Sequence, residues 1–243
     1  MSSICINDSK EVLIDSSCTI ITDCSEVNIR YDLKDGEYAI LIFNDYKGNV
    51  ILHDSGRVEN ADVKINYLQL EAFDLKQDSR VYVEKGSSLS VNSIYLGYGN
   101  KNIVFDLYNN GSDSSIDIYN NIVCLEKSDF SMDCIGTIVK GAKRSKCHQS
   151  THCLTMDSPK RARVLPVLNI DENDVEASHS LASGTIDEEI LFYMNSRGLN
   201  KKEALNLILR SYLMPSDDYY KAFDRGSEIQ ERAISKVDEI CSM

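Results

Sequence analysis

From Glu11 to about Ser178, apolar residues come in short runs that tend to alternate with polar ones. Examples are Glu11-Val-Leu-Ile, Thr19-Ile-Ile-Thr, Tyr38-Ala-Ile-Leu-Ile-Phe, Val63-Lys-Ile-Asn-Tyr-Leu, Arg80-Val-Tyr-Val, Ile94-Tyr-Leu, Ile103-Val-Phe and Gly136-Thr-Ile-Val. A period of two, carried by Ile, Val, Tyr and Thr, predicts half-buried strands. Between the runs lie Lys34-Asp-Gly, Tyr46-Lys-Gly-Asn, Lys85-Gly-Ser-Ser and Asn109-Asn-Gly-Ser. Gly, Asn and Asp supply the turn conformations that other residues resist. One run follows the next at roughly 10 to 15 residues with no amphipathic helix between, a mainly β arrangement. Proline is absent before Pro159, so the strands keep their amide donors. Such a series closes as a sandwich, a barrel or a β-helix, and no fixed-length repeat chooses among them.

The pattern changes after Gly184. Asp187-Glu-Glu-Ile-Leu-Phe-Tyr-Met-Asn-Ser-Arg197 places acids in the first turn of a helix and Arg in the last, with Gly198 as the terminating residue. Asn200 stands three residues before Glu203 as a capping box. The next helix runs to about Leu213, with Ala204, Leu205, Ile208, Leu209 and Tyr212 on one face. Pro215 breaks it, and Ser216 is positioned to cap a last helix through about Ile240. The division is a β body over residues 1–180 and a helical module over 181–243.

Lys and Arg number 26 against 38 Asp and Glu, a formal charge of −12. That argues against a general binder of nucleic acid or anionic membrane, since both need a broad excess of cations. No stretch of 18 apolar residues exists, and Met1–Asp8 lacks the basic and apolar regions of a secretory signal, so the chain reads as soluble and cytoplasmic. Its eight cysteines form no CxxC pair and are expected as thiols, most of them filling the core.

Residues 140–163 depart from the acidic background, with Lys140, Lys143, Arg144, Lys146, Lys160, Arg161 and Arg163 against Asp157 alone. Such a segment either is solvated or pairs with an acidic surface, such as that of another copy. Inside it, Cys147-His-Gln-Ser-Thr-His-Cys153 invites a zinc reading that strand geometry opposes. Cys147 and Cys153 share one face of a strand and His148 and His152 the other. Six residues at about 3.3 Å each separate the sulfurs by roughly 20 Å.

The same region carries a resemblance. Gly136-Thr-Ile-Val-Lys-Gly-Ala142, Gln149-Ser-Thr-His-Cys-Leu-Thr-Met156 and Arg163-Val-Leu-Pro-Val-Leu-Asn-Ile170 look like consecutive strands of the SufB/SufD family of the SUF iron–sulfur cluster assembly system. Asp174-Val-Glu-Ala-Ser-His-Ser-Leu-Ala-Ser-Gly184 and Ile186-Asp-Glu-Glu-Ile-Leu-Phe-Tyr-Met-Asn-Ser-Arg-Gly-Leu199 resemble that family's long signature almost residue for residue. The similarity covers about residues 130–213. It implies a right-handed parallel β-helix followed by a small C-terminal α-helical domain. It also implies a dimer through the end of the β-helix, and docking of a SufC-like ATPase on the helices. Longer relatives carry an N-terminal helical domain that this chain is expected to lack.

The resemblance implies a scaffold role rather than an enzyme's: an Fe–S cluster built or held transiently at a dimer interface, with ATP entering only through the partner. No GxxxxGK[ST] loop occurs in the sequence itself. Cys153 matches the thiol proposed as a SufB cluster ligand, and His179 matches the histidine of the SufD "SH" motif. A homodimer would set Cys153 of one subunit beside His179 of the other; a SufB/SufD-type heterodimer is the other arrangement. Thiolates suit iron and sulfide, and His replaces Cys at some irons; nearby Lys and Arg would favour the thiolate. Glu176, Glu172 and Cys147 are further ligand candidates, and Cys134 and Cys124 candidate sulfur acceptors. The ATPase-facing set is Leu191, Tyr193, Arg197, Leu205, Ile208 and Leu209. A cysteine desulfurase or sulfur carrier and apo Fe–S proteins complete the implied partners. Departures from the family pattern are Ala177, where Cys or Glu is usual, and Asn169, where Glu is usual. Two other readings stand beside this one. The first is a SufD-like accessory for iron entry that needs a separate SufB. The second is a β-helix carbohydrate-active enzyme, which a chain without Trp or a secretory signal suits poorly.

Overall fold

The computed structural model describes residues 2–8, 11–71, 73–156, 159–214, 220 and 223–242. Among these residues thirteen strands wind into a parallel β-solenoid of about six turns. They are β1 (Ser2–Ile6), β2 (Glu11–Ile14), β3 (Cys18–Thr22), β4 (Glu26–Asn44), β5 (Val50–Gln69), β6 (Leu75–Val83), β7 (Ser88–Gly97), β8 (Asn100–Asn109), β9 (Ser115–Cys124), β10 (Asp129–Ile138), β11 (Lys146–Thr155), β12 (Arg161–Ile170) and β13 (Glu176–Thr185). β4 and β5 are long enough to bend through a corner and supply both faces of a coil. The first half of β5 pairs with β6 and its second half with β7. From there β6, β8, β10 and β12 stack as one sheet and β7, β9, β11 and β13 as the other, every pair parallel. Of the three closures that alternation left open, this is the β-helix.

The coil length is not constant. Partners lie 25 residues apart at Val58↔Val83, 26 at Leu75↔Lys101, 29 at Asn100↔Asp129 and 32 at Asp129↔Arg161. The strands of the later coils keep their length and the corners lengthen, which hides the repeat. One corner does repeat in conformation: Asp35, Asn60, Gly86, Asp113 and Arg144 all take positive φ, between 51° and 69°. Asn, Asp and Gly tolerate that region best. The side chains brace the column, with Asn60 Nδ2 donating to Asp35 Oδ1 at 2.7 Å and Arg144 donating two bonds to Asp113, each 2.7 Å.

Two apolar cores result. The interior is filled by inward residues such as Ile65, Val91, Ile118, Phe105 and Met132, with Cys124, Cys134, Cys147 and Cys153 among them. The second core lies outside the solenoid. Leu41, Phe43, Leu68, Leu96, Val123 and Leu154 project from the outer face near strand ends, and helices cover them. This is why Ile40–Phe43 and Ile94–Leu96 read as unbroken apolar runs: both their faces are buried.

The helices are α1 (Glu188–Ser196), α2 (Lys201–Leu213) and α3 (Gly226–Ile240). α1 is capped by Asp187, whose side chain accepts from the Glu189 amide, and ends at Gly198 with φ 95°. α2 opens on the expected capping box, Asn200 with Glu203. Ala204, Leu209 and Leu213 of α2 and Ile229, Ala233 and Val237 of α3 face the second core. The expected boundary at 180/181 falls inside β13, which continues to Thr185. The last helix begins at Gly226, and the expected break at Pro215 and cap at Ser216 lie outside the described residues. α3 reaches back to the first coils: Arg232 pairs with Asp45, and Thr19 Oγ1 donates to the Asp224 carbonyl at 2.9 Å. No helix among the described residues is long and apolar enough to cross a membrane.

The basic segment is largely neutralised within the chain. Arg144 pairs with Asp113, Lys146 with Glu176, Arg161 with Asp129 and Arg163 with Asp133, each across neighbouring coils. These are rungs of the solenoid's own outer surface, which accounts for four of the seven cations without a second molecule.

Candidate functional site at the open end of the solenoid

Among the described residues β12 pairs only with β10 and β13 only with β11, so the last coil has two unpaired edges. No further coil covers its inward-facing side chains. Ile170 and Leu181 are exposed there, and so is His179, while Leu165, opposite Asp133, faces outward. An open edge with apolar side chains is a surface poised for pairing.

Register fixes which site candidates meet. His179 lies opposite Gln149, Ala177 opposite Cys147 and Ser183 opposite Cys153, all on the interior-facing side. Cys147 is thus offset from His179 by two residues along the neighbouring strand, about 7 Å, and Cys153 by four, about 13 Å. Within one chain the imidazole is nearer to Cys147 than to Cys153. Glu176 and Glu172 lie at the opposite end of β13 from Ser183. Glu176 is paired with Lys146 at 2.8 Å, which holds its carboxyl below the usual range. Glu172 accepts from the Gly141 amide at 3.0 Å and the Asn173 amide at 2.9 Å, lowering its pKa in the same sense. Both carboxylates brace corners and rungs.

The four inner cysteines of the later coils fall into two pairs. Cys134 and Cys147 face each other from opposite sheets, and burial pushes each thiol up to about 12. Cys147 Sγ occupies the space left by Gly136: a Cβ there would come within 2.5 Å of the sulfur and 3.0 Å of Gln149 Nε2. Gln149 donates to the Val167 carbonyl at 3.1 Å while its Oε1 is buried without a hydrogen-bond partner among the described residues. The second pair is Cys124 and Cys153. The Cys124 thiol donates to Cys153, which pulls the Cys153 pKa down against its burial, with help from Ser183, and drives that of Cys124 up. Cys153 is therefore the inner thiol whose ionisation is favoured. The cause is a neighbouring thiol; the Lys and Arg side chains expected to do this face outward. His148 and His152 point to the outer face, where His148 Nδ1 meets Ser178 Oγ at 2.8 Å, as strand parity requires. Among the described residues no three His, Cys, Asp or Glu side chains are grouped to hold a metal ion.

On the helices, the candidate partner-facing residues separate by burial. Leu209 is fully buried and Leu205 and Ile208 pack against the second core, so the regular apolar face of α2 is spent on the solenoid's flank. Tyr193 is exposed with Arg197 over its ring at 5.3 Å, and Leu191 lines a groove of about 1290 Å³ with Leu205, Met156 and Ile186. α1 buries none of its residues; Ile190 is 51% and Phe192 74% exposed. Sequence reasoning passed over both because a short helix with apolar residues on several sides gives no clear stripe. Gly136, Gln149, Ser183 and Lys101 were also missed; each matters through a neighbour on another coil, which only register reveals.

The architecture is thus a parallel β-solenoid with thiols in its bore, an open last coil carrying a histidine, and helices folded back along one flank. The SUF system FeS cluster assembly SufBD core domain matches residues 38–212, and the chain belongs to the SufB/SufD family. It is 37% identical over 81 residues to the iron–sulfur cluster assembly protein SufD of Bacillus subtilis, 33% of this chain and 18% of that protein. It is 28% identical over 188 residues to a SufBD family protein of Pyrococcus horikoshii, 65% of this chain and 42% of that one. With the SufD of Escherichia coli it shares 27% identity over 168 residues, 68% of this chain and 34% of that one. The chain spans less than half the length of each of these relatives.

Proposed function

We propose that this chain is a non-catalytic scaffold subunit of SUF-type assembly, holding a nascent Fe–S cluster as cargo where two solenoid ends meet. One observation carries the reading: the thiolate-favoured Cys153 sits one strand beneath an open edge that bears His179, and among the described residues neither is joined by enough ligands to hold a metal. Two such ends placed together would double the ligand set while covering Ile170 and Leu181. An incomplete set per chain suits a carrier that must release what it holds. The exposed apolar residues of α1 are the docking face for a SufC-like ATPase, through which ATP acts. A cytoplasmic, reducing setting keeps the thiols free. Cys134 and Cys124 are fully buried, so sulfur delivery to either from a desulfurase or carrier requires the last coils to open.

Anaerobic reconstitution with ferrous iron and sulfide tests this. The lone protein should gain a visible charge-transfer chromophore and elute as a dimer, and Cys153→Ser and His179→Ala should each lose most of the colour while keeping the wild-type circular dichroism. Colour retained in both variants would remove the proposed ligands. A second reading, a SufD-like accessory for iron entry, is favoured by the match to two proteins named SufD. It predicts no chromophore until a SufB-type subunit is added.

A further inference from the structure

Helix α1 is held to the molecule by very little. It buries none of its residues, and among the described residues no side-chain hydrogen bond or ion pair ties it to the solenoid or to another helix. Its polar contacts are local: Asp187 accepts from the Glu189 amide at 2.8 Å, and Ser196 Oγ donates to the Tyr193 carbonyl at 2.7 Å. Its connectors are short and unpacked. Only Ile186 and Asp187 separate it from β13. A Cβ at Gly184 or Gly198 would meet nothing within 4 Å, and Gly198 takes φ 95°. Beside α1 lies the groove of about 1290 Å³, whose apolar wall is Leu125, Met156, Ile186, Leu205 and Ile240. From α1 itself only Glu188 and Leu191 reach it.

We infer that α1 is a lid that seats in this groove, so that the position in this structure is the open one of two. Helical spacing decides which side goes in. At about 100° per residue, Ile190, Met194 and Leu191 fall within roughly 100° of arc, one continuous apolar side. Leu191 and Met194 are already half-buried, and Ile190 stands exposed at the margin of the same side. Phe192 and Tyr193 lie beyond that arc and face away. Seating adds Ile190 to the groove wall and takes both apolar surfaces out of water, which is the driving force. No polar contact between α1 and the body has to break first. The two glycines absorb the change in backbone angles at either end. The closed state leaves Phe192 and Tyr193 outside, so it narrows the docking face proposed above to those two residues.

The inference rests on the scaffold reading only for what binds outside the lid. Its test uses the full chain with no cluster and no ATPase, so the two readings fail separately. The chain has no tryptophan, and Ile190→Trp and Phe192→Trp therefore carry one each. Acrylamide should quench the fluorescence of the first at least threefold less than that of the second. A smaller difference, toward what exposures of 51% and 74% give by themselves, would overturn the lid. A second measurement traps the closed state. Cys241 lines the groove from the end of α3. With the exposed Cys5 removed as Cys5→Ser, Ile190→Cys under copper–phenanthroline oxidation should form an intramolecular disulfide with Cys241, located by peptide mass spectrometry. Phe192→Cys should do so at least tenfold more slowly. Closer rates, or no cross-link to Cys241, would count against seating. Both positions are exposed on α1, so neither variant endangers the core.

Discussion

Asp54 sits on the inner face of β5, fully buried, accepting from Tyr67 at 2.7 Å and Ser79 at 2.5 Å. Ser79 also accepts from Gln77, which in turn accepts from Tyr95, so a polar thread crosses an apolar bore. Desolvation raises the Asp54 carboxyl to about 6 in spite of these donors. The folded chain then binds a proton that the unfolded chain releases near 3.8, so stability falls as pH rises from about 4 to about 6. Two pH units amount to roughly 3 kcal/mol. Urea unfolding of Asp54→Asn should lose most of that slope and show higher stability than wild type at pH 7; an unchanged slope would assign the titration elsewhere. Gly136 makes a steric prediction of the same grain. Gly136→Ala should cost on the order of 1–3 kcal/mol in thermal or urea unfolding, because its methyl meets the Cys147 sulfur. Adding Cys147→Ala should restore part of the loss, whereas additive losses would contradict the contact.

Among the elements, α1 and α2 illustrate how similar apolar residues serve opposite ends. Leu209→Ala should lower stability by about 2–5 kcal/mol, as for a buried leucine whose cavity cannot collapse. Phe192→Asp should leave the unfolding midpoint where it is and reduce capture of a SufC-like ATPase at least tenfold in a binding titration; an unaffected titration would move the docking face off α1. The start of α2 and the stop of α1 were legible because they are written in adjacent residues, Asn200 before Glu203 and Gly198 after Arg197, whereas Asp187, read as a first-turn acid, is the cap of α1. The direction in which each helix faces was not legible. Leu205, Ile208 and Leu209 form a regular stripe that reads equally as core or as interface, and only the apolar patch around Leu68, Leu96 and Val123 decides for core.

For the molecule as a whole, strand-by-strand alternation was readable and the winding was not. Period two names the inward face of β8 and β9 residue by residue, yet the same alternation suits a sandwich or a barrel. The signal that distinguishes a β-helix, a positive-φ corner recurring at Asp35, Asn60, Gly86, Asp113 and Arg144, is spread over four residue types at unequal intervals. The signature around His179 was legible as family resemblance, but which cysteine faces it is a matter of register between β11 and β13, invisible one strand at a time.

Stacked coils touch only their neighbours and would ordinarily fray from either end. Here the C-terminal helices lie along the flank and tie into the first coils through Arg232 with Asp45 and Thr19 with the Asp224 carbonyl. The tail acts as a buckle, making the earliest and latest parts of the chain rise and fall together. Amide hydrogen exchange should therefore give β3 and β9 nearly the same opening free energy. In Arg232→Ala with Thr19→Val the two should part, β3 exchanging first.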